Sequence, residues 1–168
     1  MNKVEQLLDE YGESHQNTFN KVVHWICVPL IVYSIIGLLW SIPSTPLTNL
    51  FPYTDTTYLN WALVGTLLAL FYYFTLSPPL FYGMAGVLTG FLVITNIVEQ
   101  MHLAPTWKIS LIIFVVSWIG QFIGHKVEGA KPSFFKDIQF LLVGPLWLLS
   151  FIYKQLGIQI ASSSEVED

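Results

Sequence analysis

Long apolar runs, each followed by a short polar stretch, dominate the chain from His24 onward. Four of the runs approach the roughly 20 residues that a helix needs to cross a bilayer. They lie at 24–40, 58–76, 80–98 and 109–124. A fifth run, 138–153, carries Pro145 in its middle, so we predict that it kinks or enters and leaves the membrane on one side. The pattern predicts an all-α membrane bundle with four to five hydrophobic spans.

The segment before the first run has the periodicity of an amphipathic helix. Its apolar residues recur at i, i+3, i+4 and i+7 with acidic residues on the other face, and they are Val4, Leu7, Leu8 and Tyr11. We therefore predict a short amphipathic helix over 2–13, lying on the membrane or on the bundle. Gly12 and Ser14 end it, and Asn17 or Thr18 can cap the helix that follows.

The composition agrees with a membrane protein. Hydrophobic residues make up 54% of the 168 residues and charged residues only 11%, whereas a soluble domain averages roughly 25% charged residues. The net charge of −4 and the absence of arginine argue against a nucleic-acid partner, which would require a basic face. We predict one membrane-embedded domain over 1–160, followed by a disordered acidic tail over 161–168.

The distribution of lysines predicts an orientation, because cytoplasmic loops carry an excess of positive charge. Lysines precede the first span and follow the fourth, at Lys3, Lys21, Lys126, Lys131 and Lys136. The loop 41–57 has none, and the connection 99–108 has only Lys108. Four crossings then place the N-terminus and the polar segment 125–137 together on the cytoplasmic side of a bacterial inner membrane or of the endoplasmic reticulum.

Three of the four histidines belong to these two cytoplasmic segments, and ionisable groups at membrane boundaries tend to be functional. In one unbroken helix His15 and His24 would point to opposite faces, so they share a site only if the chain breaks between 12 and 17. His125 ends the fourth span. Together the three imidazoles predict a divalent metal site, for which zinc, copper, iron and nickel are all suitable. The alternative is that they only anchor or pack the helices.

A second pattern, Glu99-Gln-Met-His102, has the Glu-x-x-His spacing of di-iron bundles. His125 and Glu128 show the same spacing in reverse order. A di-iron site needs several inward-facing carboxylates, which the spans do not offer. The fourth span would also separate His102 from His125 by roughly 30 Å. We therefore interpret His102 as a loop histidine on the opposite face.

Further polar residues accompany the three histidines. Asn20 lies one turn before His24, and Gln121 one turn before His125. Lys21 and Lys126 are explained by topology and lipid headgroups, or else they attract the anionic headgroup of a substrate.

Two stretches of the sequence resemble the signatures of a known membrane-protein family. They are 11–30, which reads YGESHQNTFNKVVHWICVPL, and 118–132, which reads WIGQFIGHKVEGAKP. The ending Gly144-Pro145-Leu146 matches as well. The chain resembles, from about 1 to 153, the membrane-bound 2-hydroxy fatty acid dioxygenase family, which comprises the fungal endoplasmic-reticulum α-oxidation enzyme and its bacterial relatives.

The resemblance implies an iron(II)-dependent enzyme that uses dioxygen to shorten a 2-hydroxy fatty acid by one carbon. It implies that His15, His24 and His125 bind the iron, and that Asn20, Gln121 and Glu128 are the accompanying polar residues of the catalytic site. Glu128 would orient a histidine or serve as a fourth ligand. Asn20 and Gln121 would hydrogen-bond the substrate or only pack.

Two rival hypotheses remain at this stage. One is a non-enzymatic lipid-binding or scaffold protein in the bilayer, whose histidines only anchor helices. The other is a small transporter, which would favour polar groups at mid-span. The mid-spans hold little of that kind beyond Thr66, Thr89 and Thr95.

Overall fold

Most of the chain that the computed structural model describes, namely residues 3–51, 57–129 and 140–160, is helical. No strand occurs in these residues. We number the helices α1 (Lys3–Glu13), α2 (Thr18–Trp40), α3 (Thr45–Thr48), α4 (Trp61–Leu76), α5 (Pro78–Gln100), α6 (Thr106–Glu128) and α7 (Val143–Gln155). The predicted all-α class is confirmed.

Three of these helices, α2, α5 and α6, have 23 residues each and are long and apolar enough to cross a membrane. Helix α4 is equally apolar in character but has 16 residues, and α7 has 13. A 16-residue helix is about 24 Å long, which falls short of a hydrocarbon core of about 30 Å. The membrane-helix fold is therefore supported by three candidate spans, and the count of four to five stays a prediction.

Polar caps set the helix boundaries as the sequence indicates. The side chain of Asn17 accepts a hydrogen bond from the backbone N–H of Phe19 at 2.8 Å, which confirms a cap at the predicted start of α2. Asn60 caps α4 in the same way. Between α4 and α5, Ser77 precedes Pro78 and turns the chain back into the bundle.

Helices α2 and α6 lie antiparallel and close together. A Cβ atom on Gly124 would overlap the Oδ1 of Asn20, and one on Gly120 would lie 2.7 Å from the Sγ of Cys27. Small residues at this spacing let two membrane helices approach closely. The other buried residues of α6 are polar, and they are Thr106, Ser110, Ser117, Gln121 and His125. Ser117 therefore adds a polar residue near the middle of a candidate span to the threonines named above.

Helices α1 and α7 pack together at one end of this pair. The apolar face of α1 is buried against α7. Of the two locations predicted for this helix, the membrane surface and the bundle, the structure therefore shows the bundle. Helix α7 lies beside the first turns of α5, where the Tyr153 hydroxyl donates to the carbonyl of Pro79 at 2.9 Å. This end of the bundle also contains the beginning of α2 and the end of α6.

Several predictions lie outside the described residues. They concern the acidic tail 161–168, Lys131, Lys136 and most of the polar segment 125–137. The domain limits and the orientation in the membrane also stay predictions. In the described part of the chain, the beginning of α2 and the end of α6 lie side by side.

Candidate metal centre

His15, His24 and His125 meet at the end of the bundle where α1 and α7 pack. His15 comes from the α1–α2 linker, His24 from the second turn of α2 and His125 from the last turn of α6. One ring nitrogen from each histidine lies within 4.8 Å of the others. All three side chains are almost completely removed from solvent. The break between α1 and α2 allows His15 and His24 to face one point, as the sequence analysis required.

Backbone carbonyls fix the tautomers of two of the rings. The Nδ1 of His15 lies 2.5 Å from the carbonyl oxygen of Tyr11, and the Nδ1 of His24 lies 2.9 Å from that of Asn20. A carbonyl oxygen can only accept, so each Nδ1 carries the proton and each Nε2 presents a lone pair. The two Nε2 atoms are 2.8 Å apart. Two lone pairs at this distance repel each other unless a cation lies between them.

A divalent metal ion satisfies this arrangement. Imidazole nitrogens bind such ions at about 2.1 Å, so two ligands at a right angle are separated by roughly 3 Å. That separation is close to the one between the Nε2 atoms of His15 and His24. The ring of His125 completes the group, with its centroid 5.3 Å from that of His15 and 5.1 Å from that of His24. The donor set therefore fits a metal with three imidazole ligands.

The electrostatics of the linker favour the neutral form of His15. Burial is the main reason why its pKa lies below the ordinary value, and the charge on Lys21 lowers it as well. The carbonyl of Tyr11 opposes these effects but does not cancel them. A neutral imidazole is the form that binds a metal.

Aromatic side chains enclose the histidines on the side of α1 and α7. The ring of Tyr11 stacks on His15 with centroids 4.2 Å apart, and that of Trp147 lies 5.3 Å from His15. Phe140 packs edge-on against Tyr11. The sequence analysis used Tyr11 only as an apolar face residue. Its spacing of four residues from His15 is the signal that could have indicated the carbonyl contact.

Glu128 fastens the linker to the end of α6. Its carboxylate accepts hydrogen bonds from the backbone N–H groups of Gln16 at 2.8 Å and Asn17 at 2.9 Å. It also accepts one from the Nδ2 of Asn20 at 3.1 Å. These bonds hold His15 close to the last turn of α6, where His125 lies. The two roles predicted for Glu128, orienting a histidine or binding the metal, are untested by these contacts and stay predictions.

The remaining candidate residues surround the histidines or lie far from them. Asn20 is fully buried, and Gln121 is buried one turn before His125. Lys21 is partly exposed and Lys126 is exposed, both at the polar end of their helices. His102 is exposed just beyond the end of α5, at the opposite end of α6 from His125. Within the described ranges it joins no metal-binding group of three residues.

Replacing Glu128 by alanine should weaken metal binding without removing a histidine. The linker loses its tie to α6, so His15 is no longer held against His24 and His125. We expect the metal affinity to fall by about 10–100-fold, the usual effect of losing an outer-shell partner. Metal titration of the purified protein measures this. Glu13→Gln, which removes an exposed charge from the same end, should leave the affinity unchanged. Equal affinities for wild type and Glu128→Ala would contradict the role in positioning.

Comparison with known proteins assigns the family. A family model described as 2-hydroxy-palmitic acid dioxygenase Mpo1-like matches residues 1–156. The chain belongs to the Mpo1-like family. The match includes all three histidines and helix α7, and it confirms the resemblance found in the sequence.

One relative in this Mpo1-like group is the 2-hydroxy-palmitic acid dioxygenase MPO1 of Saccharomyces cerevisiae. It is 29% identical to this chain over 148 residues, which cover 86% of the chain and 76% of the yeast protein. No solved structure matches the chain. The comparisons thus associate the trihistidine cluster with a family named for a dioxygenase.

Proposed function

We propose that this protein is an iron(II)-dependent dioxygenase that converts a 2-hydroxy fatty acid into the fatty acid one carbon shorter. The observation that carries the proposal is the pair of Nε2 lone pairs of His15 and His24, which face each other at 2.8 Å beside His125. Family membership supplies the reaction class. The name of the yeast relative supplies the substrate class, a 2-hydroxy fatty acid.

The proposed reaction balances without a further reductant. R–CH(OH)–COOH and O2 give R–COOH, CO2 and H2O. The bond between the carboxyl carbon and C2 breaks, C2 is oxidised to the new carboxyl carbon, and dioxygen takes up all the electrons that are released. Iron bound by the three histidines would supply the redox chemistry with dioxygen and a Lewis-acidic site for the headgroup of the substrate.

The residues of the chain would contribute binding, orientation and exclusion of water. His15, His24 and His125 hold the metal. The positive charges of Lys21 and Lys126, at the polar end of α2 and α6, attract the substrate carboxylate. Asn20 and Gln121 supply amide groups beside the rings. The aromatic side chains of α1 and α7 keep water from the reacting carbon.

Stoichiometric turnover tests the proposal. The protein is purified in detergent, loaded anaerobically with Fe2+, Zn2+ or no metal, mixed with a carboxyl-labelled 2-hydroxy fatty acid and then exposed to air. We expect labelled CO2 and the shortened acid in equal amounts, with one O2 consumed for each, in the iron sample alone. If iron binds stoichiometrically and no shortened acid forms from any 2-hydroxy acid supplied, the proposed reaction is wrong.

A further inference from the structure

An apolar groove lies beside the histidines, between α2, α5 and α7. Its volume is about 130 Å³, and all of its lining side chains are apolar or aromatic. Its floor is formed by buried residues, one from each helix, namely Val28, Met84 and Leu148. The proposed function gives no role to this groove, and none of its lining residues is a candidate metal ligand.

The groove begins where the histidine cluster ends. Val28 lies one helical turn after His24 on the same face of α2, a spacing that brings two side chains within about 5–6 Å. On α7, Leu148 in the groove directly follows Trp147, which packs against His15. The same two helices therefore form the wall of the cluster and the wall of the groove.

One side of the groove faces the surroundings of the bundle. Its rim residues Trp25, Val87 and Ile152 are 42%, 39% and 40% exposed, whereas Val28 and Met84 on the floor are 7% and 1% exposed. Trp25 and Val87 lie on α2 and α5, which are candidate membrane-spanning helices, so in a membrane the groove opens sideways toward lipid chains. A molecule could enter it without passing through water.

The polar end of the groove carries a positive charge. Lys21 lies one turn before His24 and Trp25 in α2, at the i+3 and i+4 spacings that bring side chains of a helix together. The groove thus has a cation and imidazoles at one end and only apolar groups beyond them. This polarity matches a molecule with an anionic headgroup and a hydrocarbon tail.

Phe91 is the last lining residue of α5, and its ring packs edge-on against Tyr33 at 5.7 Å. Along α2 the distance from His24 to Val32, the last lining residue of that helix, is about 12 Å. The groove is therefore long enough for only the first part of a long acyl chain. The remainder of such a chain would leave through the open side into the bilayer.

We propose that this groove binds the first carbons of the acyl chain of the substrate, with the headgroup at the histidines and the distal chain in the lipid. The inference rests on the proposed function for the identity of the headgroup. Because lipid is as apolar as the groove, binding there gives little affinity relative to the bilayer. The groove instead fixes the position of C1 and C2 relative to the three rings.

A bulky side chain at the rim tests this proposal. Val87→Phe should fill the groove from the open side, while Val93→Phe introduces the same change at a position of α5 that is 42% exposed and does not line the groove. We expect kcat/KM for a long 2-hydroxy fatty acid to fall at least about tenfold in Val87→Phe, because displacing a bound substrate by about 1 Å can cost up to about a hundredfold. Iron content should not change. Equal kinetics for the two variants would overturn the proposal.

Photolabelling separates this proposal from the proposed function, because it requires no turnover. A 2-hydroxy fatty acid with a photoreactive group near C6 is irradiated with the iron-loaded protein in lipid nanodiscs, and the labelled residues are mapped by mass spectrometry. We expect labels on Met84 and Leu148 that excess unlabelled substrate removes and Val87→Phe prevents. Groove labelling without product formation would contradict the proposed reaction and support acyl-chain binding in the groove. Product formation with labels spread evenly over the lipid-facing helices would contradict acyl-chain binding in the groove and support the proposed reaction.

Discussion

Replacing His125 by alanine should remove bound metal and turnover together. Two imidazoles remain at the site, and the loss of one of three protein ligands leaves too little binding free energy to retain the ion during purification. We expect less than about a tenth of the metal content of the wild type and a fall in turnover of at least about a thousandfold, equivalent to about 4 kcal/mol of barrier. Metal analysis and product measurement on the same sample test both effects.

His102→Ala is the matched control for this variant. His102 also lies near a helix C-terminus, but it is exposed and at the opposite end of α6 from the cluster. It should retain full metal content and activity. If His125→Ala binds metal as the wild type does, or if His102→Ala loses the metal instead, the trihistidine site is wrong. Helical content measured by circular dichroism shows whether either variant has lost its fold.

Gly124→Ala should separate α2 from α6 and disturb the metal site through the backbone. The new Cβ would overlap the Oδ1 of Asn20 and lie 3.3 Å from Cγ1 of Val23. Asn20 cannot easily move aside, because it is fully buried and donates to Glu128. Overpacking of this kind typically costs about 1–3 kcal/mol. We expect a lower thermal midpoint and a metal affinity reduced by about tenfold or more.

The same substitution at Gly90 should not lower the thermal midpoint. Gly90 lies within α5, and a Cβ atom there would meet nothing within 4 Å. Within a helix, alanine is more favourable than glycine by about 1 kcal/mol where the added methyl group meets no neighbour. Gly90→Ala should therefore keep or raise the thermal midpoint, with unchanged metal binding. Equal midpoints for the two variants would show that α2 and α6 have room to separate at Gly124.

The convergence of the three histidines could be predicted because it depends on features that sequence patterns report well. The polar break after Gly12 and the cap at Asn17 separate His15 from the helix that carries His24. The topology of the apolar runs then returns His125 to the same end. Each step uses helix length, capping or hydropathy, which are local properties of the chain.

The walls of the site could not be predicted, because they depend on packing between distant segments. Nothing in the pattern indicates that Trp147 packs on His15, or that the carboxylate of Glu128 accepts hydrogen bonds from the backbone of the linker. The apolar groove could not be predicted for the same reason, because Val28, Met84 and Leu148 come from three helices whose relative position depends on tertiary packing. The number of spans depends on α4 and α7, which fall below the length at which hydropathy alone decides.

The packing of α1 on α7 has a consequence for biosynthesis. The nascent chain contains all three histidines once α6 has left the ribosome, but the surface that receives Val4, Leu8 and Tyr11 belongs to α7, which is translated after α6. Until then α1 has no docking partner and His15 lacks the neighbouring indole of Trp147. Maturation of the centre therefore waits for translation of α7, and a truncated product that ends after α6 would carry the ligands without their enclosure.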